Sequence, residues 1–148
     1  MNAIDFIKQD HLRIEELFQK FLVAESETTE EDLFQEIETV LSAHSEMEEQ
    51  VFYPALKDIA ADKVEKALKE HAEVEEMLAD LLDADLSEEN FESDFRKLVD
   101  DVRHHLEEEE APGGILELAA ESLHDEQLSK MMNEMLRVQR GTQEDLAA

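Results

Sequence analysis

Residues 44–48 read HSEME, and residues 105–109 read HLEEE. Among only six histidines, two stand four residues ahead of a glutamate, each late in a strongly helical segment. At about 100° per residue, positions four apart on an α-helix differ by only about 40° in direction, so each His and its Glu share a face. Ile37 and Leu41 continue the face of His44 and Glu48; Leu98 and Val102 continue that of His105 and Glu109. Ionisable groups on an apolar stripe are costly unless they are paired or bind metal. The two stretches therefore predict helices packed around a shared polar centre.

Working outward, apolar residues recur at helical spacing along the whole chain. A first helix covers 3–24, with Ile4, Ile7, Ile14, Leu17, Phe18, Phe21 and Leu22 inward, and the polar run ESETTEED ends it. Thr29 and Asp32 resemble the start of a second helix, which carries Leu33, Ile37, Val40, Leu41, His44, Glu48, Val51 and Phe52 to about Pro54. A third helix spans roughly 62–84, with Val64, Leu68, His71, Val74, Met77, Leu78, Leu81 and Leu82 inward. Ser87 is placed to cap a fourth, from about 88 to 110. APGG at 111–114 is the strongest breaker, and a fifth helix runs from Ile115 to about Arg140, where Gly141 is placed to end it.

The chain also matches itself. QDHLRIEELFQKFL (9–22) lies over KEHAEVEEMLADLL (69–82), aligning an acid, a His, a β-branched residue, Glu-Glu and two later apolar pairs. Ile37, Leu41, His44 and Glu48 lie over Leu98, Val102, His105 and Glu109. Four helices thus read as one helix pair used twice. In such a pseudo-twofold bundle, His11, His44, Glu48, His71, His105 and Glu109 reach a common centre, a donor set for two metal ions.

Composition narrows the chemistry. With 148 residues the chain suits one domain. Three Gly, two Pro and one Tyr in a background rich in Glu, Leu, Ala and Lys favour helices. A net charge of −28, from 13 basic and 41 acidic residues, leaves no basic stripe to release counterions, so neither nucleic acid nor an anionic membrane is an expected partner. The absence of cysteine excludes disulfides, thiolate zinc sites and cysteine-bound iron–sulfur clusters. No apolar run approaches a membrane span and no signal-peptide core opens the chain, so a cytoplasmic location is expected. There is no GxSxG and no glycine-rich phosphate loop, so any catalysis falls to a metal.

The order of a lone His, His-x3-Glu, a lone His and His-x3-Glu, with HSEMEEQVFYP (44–54) carrying a proline six residues past Glu48, resembles the hemerythrin-like family of HHE cation-binding domains. The resemblance spans residues 4 to about 112. It implies an up-down four-helix bundle, here over 1–112, to which the fifth helix read from the periodicity is an additional C-terminal helix within 113–148. It also implies a non-haem di-iron centre, oxo- or hydroxo-bridged, in which Glu48 and Glu109 bridge and His11, His44, His71 and His105 are terminal ligands. Manganese or zinc also suits such nitrogen and oxygen donors. Oxygen-carrying members have a second His one turn after the third-helix His, where this chain has Glu75. Either Glu75, with its repeat mate Glu15, supplies a further ligand, or one iron keeps an open position, which favours reaction with or sensing of O2, peroxide or NO, with the handling of iron as the other role such a site can serve.

Other residues have plainer readings. His104 could pair with Glu108, but that register turns away from Leu98 and Val102 and reads as surface or as support for the site. His124, in ESLH, reads as solvated, Tyr53 as core or support for the site, and Met131, Met132 and Met135 as packing or a dimer contact. The competing functional reading is a non-catalytic acidic helical interaction module whose fifth helix meets a protein partner or a second copy. It accounts for the charge and the fifth helix, but not for the repeated offsets of His and Glu on inward faces.

Overall fold

Asn2 starts helix α1 (Ala3–Leu22): its side chain accepts from the Ile4 and Asp5 N–H groups while the Asp5 carboxylate accepts from the Asn2 N–H, a reciprocal cap. Ser26, not Thr29 or Asp32, caps α2 (Glu27–Met47), its hydroxyl accepting the Thr29 N–H. The computed structural model describes residues 1–147. Beyond α2 the chain continues through a π-helical turn (Glu48–Phe52) into α3 (Tyr53–Leu56), then α4 (Ala61–Asp83), α5 (Phe91–Glu110), α6 (Ile115–Ser122) and α7 (Asp125–Ala147). No strand occurs among the described residues.

Helices α1, α2, α4 and α5 pack in a ring in that order, α5 closing against α1. The bundle read from the helical periodicity is therefore present. Its apolar interior is divided in two. At one end Phe18, Phe21, Phe34, Phe91 and Phe95 pack among Ile14, Ile37, Leu41, Leu98 and Val102. At the other end Ile4, Ile7, Met47, Phe52 and Leu56 pack with Ile115, Leu116, Leu128, Met131 and Met135. The histidine and glutamate layer lies between, so it is sealed from water by hydrocarbon above and below.

Four further expectations need correction. Ser87 does not cap α5: its N–H and hydroxyl both donate to the Asp85 carboxylate in the preceding turn, and the helix starts at Phe91 behind Asn90. The fifth helix is two helices, broken where Leu123 adopts an extended conformation. Ala119 and Leu128, nine residues apart, would face opposite sides of a continuous helix at about 100° per residue, and the break lets both enter the same core. Gly141 does not stop α7, which runs to Ala147. Leu68 and Leu82, read as inward, are 40% and 46% exposed; they flank the stripe of Val64, Ala67, His71, Leu78 and Leu81 that α4 buries. α7 packs chiefly on α2 and also on α1, while α6 packs on α5.

Candidate metal centre

His11, His44, Glu48, His71, His105 and Glu109 are each at most 5% exposed. Their donor atoms form two groups sharing Glu48: His11, His44, Glu48 and Glu109 in one, and Glu48, His71 and His105 in the other. His11 Nε2 lies 3.2 Å from Glu109 Oε1, and His44 Nε2 lies 3.0 Å from Glu48 Oε1. Across the axis, His71 Nε2 is 3.2 Å from Glu48 Oε1, and His105 Nε2 is 3.4 Å from Glu109 Oε2. The rings pair by halves, with centroids 5.1 Å apart for His11 and His44 and 4.8 Å for His71 and His105. The pseudo-twofold repeat of the sequence is thus a pseudo-twofold repeat of geometry.

A second layer of carboxylates holds the four rings. Asp10 accepts from His44 Nδ1 at 2.6 Å, Glu49 from His71 Nδ1 at 3.1 Å, Glu70 from His105 Nδ1 at 3.0 Å, and Glu110 from His11 Nδ1 at 2.8 Å. An ionised carboxylate can only accept, so each Nδ1 carries the hydrogen and each Nε2 is aimed at the centre. The four bonds close a ring: α1 to α2, the π turn to α4, α4 to α5, and α5 back to α1. Each outer carboxylate adjoins an inner donor in sequence, in Asp10-His11, Glu48-Glu49, Glu70-His71 and Glu109-Glu110. The repeat aligns the acid before His11 with the acid before His71, and an acidic neighbour to four of the six inner donors is the signal the sequence offers for this layer.

With every Nδ1 protonated and the rings neutral, lone pairs of Nε2 would face lone pairs of carboxylate oxygen. Among the described residues, the buried side-chain polar atoms with no hydrogen-bond partner are His11 Nε2, His44 Nε2, both Glu48 oxygens and Glu109 Oε1, all in this layer. These atoms approach within ion-pair distance but without hydrogen-bond geometry. Leaving such groups unpaired costs about 1–3 kcal/mol each, so the centre calls for positive charge. Protons answer in part. Burial would lower His44, yet the Glu48 charge close to its Nε2 and the hydrogen bond to Asp10 hold it well above its usual value. Burial likewise opposes His71, but Glu48 and Glu49 push it up to about 9, and Glu109 raises His105. Glu48, although burial would raise it, is held well below the usual carboxylate range by His44 and His71. Donor separations of 3.0–3.4 Å also match the edge of a coordination shell, about 3 Å for metal–ligand bonds of about 2.1 Å. The residues fit a pair of cations.

Tyr53 completes the second half. Its hydroxyl donates to Glu109 Oε2 at 2.6 Å and lies 3.2 Å from His71 Nε2 and 3.4 Å from His105 Nε2. Burial, together with the Glu48 and Glu109 charges, pushes its phenol well above the ordinary value. In an unbroken α-helix Glu48 and Tyr53 would point about 140° apart. The π turn, closed by the Tyr53 N–H on the Glu48 carbonyl, brings both inward. It lies just ahead of Pro54, which has no N–H to continue an α-helical ladder. A cavity of about 230 Å3, lined by Lys63, Lys66, Ala67 and Gly113, reaches His105 and Glu109 from the surface on this side.

The remaining candidates lie elsewhere. Glu15 holds Arg103 in a two-pronged ion pair at 2.6 and 2.9 Å, outside the cluster. Glu75 is exposed, with burial and the neighbouring Glu49 and Glu46 charges raising its pKa. The structure brings neither into the donor groups. His104 is exposed and pairs with Glu108 at 3.0 Å, and His124 is exposed.

Comparison with known proteins bears on the same residues. Residues 2–112 match the model for the hemerythrin HHE cation binding domain. A solved structure of a hemerythrin HHE cation-binding domain-containing protein from Mycobacterium kansasii is similar over 98% of this chain and 89% of its own, with 27% identity and a TM-score of 0.81. A curated protein of Nostoc sp. (strain PCC 7120 / SAG 25.82 / UTEX 2576), described as a DNA nickase, is 28% identical over 112 residues. That match takes in 75% of this chain and 32% of the relative, so the chain spans about a third of that protein.

Proposed function

Because this chain belongs to the hemerythrin HHE cation-binding family, we propose that it holds two iron ions, one in each half of the donor layer, and acts on or senses O2, NO or peroxide. The observation that carries this reading is the set of buried Nε2 and carboxylate oxygen atoms that converge on one layer without hydrogen-bond partners. Glu48 and Glu109 span the two halves, His11 and His44 serve the first, and His71 and His105 serve the second. Manganese or zinc fits the same donors, and iron is the choice the family favours. The bound ions supply redox and Lewis-acid chemistry toward a small oxidant.

The protein's own residues set where a small molecule arrives. The first half has His11, His44 and both glutamates against it, whereas the second has His71, His105 and Glu48 beside the Tyr53 hydroxyl. The cavity under the α5–α6 loop opens on that second half. Tyr53 holds a proton at its oxygen, 2.6 Å from Glu109 Oε2, and can donate it to a partner that takes that place. The two hydrocarbon cores exclude bulk water from either end.

Elemental analysis with a visible absorption spectrum in air tests the reading. Two iron equivalents per chain, taken up from ferrous iron without oxygen and giving carboxylate- and oxo-bridge bands in air, are expected; no uptake would leave an acidic helical interaction module. A second reading, DNA cleavage, is suggested by the description of the Nostoc relative. The excess of 41 acidic over 13 basic residues argues against phosphate contact by this chain. Incubation with supercoiled plasmid and divalent metal should leave the plasmid intact, and nicking that is lost with Glu48→Gln would reverse that choice.

A further inference from the structure

The two halves of the donor layer are matched by the repeat, but their outer carboxylates are not treated alike. Glu70, which holds His105, is partly exposed at the bundle surface. Its repeat mate Asp10, which holds His44, is buried. What covers Asp10 is α7, and α7 does more than cover it: the Gln139 side-chain N–H donates to Asp10 Oδ2 at 3.1 Å, the same oxygen that takes His44 Nδ1 at 2.6 Å. Gln139 is 8% exposed and follows Leu128, Met131 and Met135 along the buried stripe of α7. An aliphatic side chain there would continue the stripe and avoid the cost of burying an amide. The amide instead reaches the carboxylate that orients an inner histidine. Both α6 and α7 lie beyond residues 2–112, the extent of the family match.

We propose that Gln139 is a positioning residue of the metal centre, acting through Asp10 on His44, so that docking of α7 and occupancy of the His11–His44 half are coupled. The proposal rests on the metal reading above. Asp10 with two donors on one oxygen is fixed in rotamer; the His44 ring it holds is then fixed in tautomer and direction. Coupling is reciprocal by thermodynamic necessity: whatever α7 adds to metal affinity, metal adds to α7 docking. The C-terminal helix is thereby a working part of the centre and the element through which occupancy is felt at the surface.

The test uses the full chain as wild type, Gln139→Ala, Gln139→Leu, Asp10→Ala and the Asp10→Ala/Gln139→Ala double variant. Ferrous iron is titrated without oxygen against a chromophoric chelator, and amide exchange across 125–147 is followed with and without iron. In Gln139→Leu, which keeps the packing volume, one of two iron equivalents should weaken by about tenfold while the other is unchanged. Adding Gln139→Ala to Asp10→Ala should produce no further weakening, an outcome that mere packing by α7 would not give. Iron should slow exchange in α7 of the wild type, and Gln139→Leu should lose that slowing. Wild-type affinity for both equivalents in both Gln139 variants, or a full additive loss in the double variant, overturns the proposal. A wild type that takes up no iron overturns the metal reading itself, which separates the two failures.

Discussion

Raising the pH should destabilise the metal-free protein, and His71 gives the sign and size. Its pKa is up at about 9, against an ordinary 6.5, because Glu48 and Glu49 prevail over burial. A group whose folded pKa is raised contributes stability that is complete below the unfolded value and is lost as the pH climbs through the folded one. Here the window runs from about 6.5 to about 9, and a shift of that size is worth about 3 kcal/mol. His44 and His105 are shifted in the same direction and lose stability alongside it. In a domain of this size about 3 kcal/mol moves the melting temperature by roughly ten degrees. Chelator-treated protein should therefore melt progressively lower at pH 6, 7.5 and 9.5 by far-ultraviolet circular dichroism, and His71→Gln should flatten part of that slope. Iron competes with the same protons, so its affinity should rise over the same window. Melting that is flat or rising with pH in the metal-free protein, or an unchanged slope in His71→Gln, would refute the reasoning.

Tyr53→Phe removes the donor to Glu109 and leaves a buried carboxylate oxygen unpaired, so urea unfolding of the metal-free protein should show a loss of about 1–3 kcal/mol. Gly114→Ala would place a methyl 2.5 Å from the Glu108 carbonyl oxygen and 2.8 Å from two more, and should cost roughly 1–3 kcal/mol in the same assay. Gly141→Ala, inside α7 with open space around the added methyl, should instead gain about 0.5–1 kcal/mol. Phe95→Ala empties the middle of the aromatic cluster and should cost about 3–5 kcal/mol while leaving iron stoichiometry unchanged, because that cluster lies at the far side of the donor layer.

The bundle was legible because its signal is periodic: Ile37, Leu41, His44 and Glu48 share one stripe, and the same stripe recurs in the second copy. The inner donors were legible for the same reason, as ionisable residues on apolar faces. What escaped lies where the chain departs from periodicity or depends on a tertiary neighbour. The roles of Glu49 and Glu110 are invisible along their own helices, because each acts on a ring from another helix. Tyr53 reaches the centre only through the π turn, which breaks the 100° rule on which the reading relied. Ser87 had the residue type of a cap but was already engaged by Asp85. The joint at Leu123 follows from the need of two apolar stripes, out of phase with each other, to enter one core.

The same repeat that reveals the centre also shows where its symmetry is broken. At the offset that superposes His44 on His105 and Glu48 on Glu109, Tyr53 falls on Gly114. The first copy carries its helix on through a π turn and places a phenol among the donors; the second ends in APGG, with Gly113 at φ 76° and Gly114 pressed against three backbone carbonyls. That ending leaves the cavity leading to His105 and Glu109. The other half is closed by α7, whose Gln139 lies on Asp10. One half is therefore covered by a helix and the other reached by a cavity, although their histidines stand at matching positions of the repeat. The asymmetry of the layer lies less in the four histidines than in the three unmatched elements around them: the π turn, the glycine loop and the last helix.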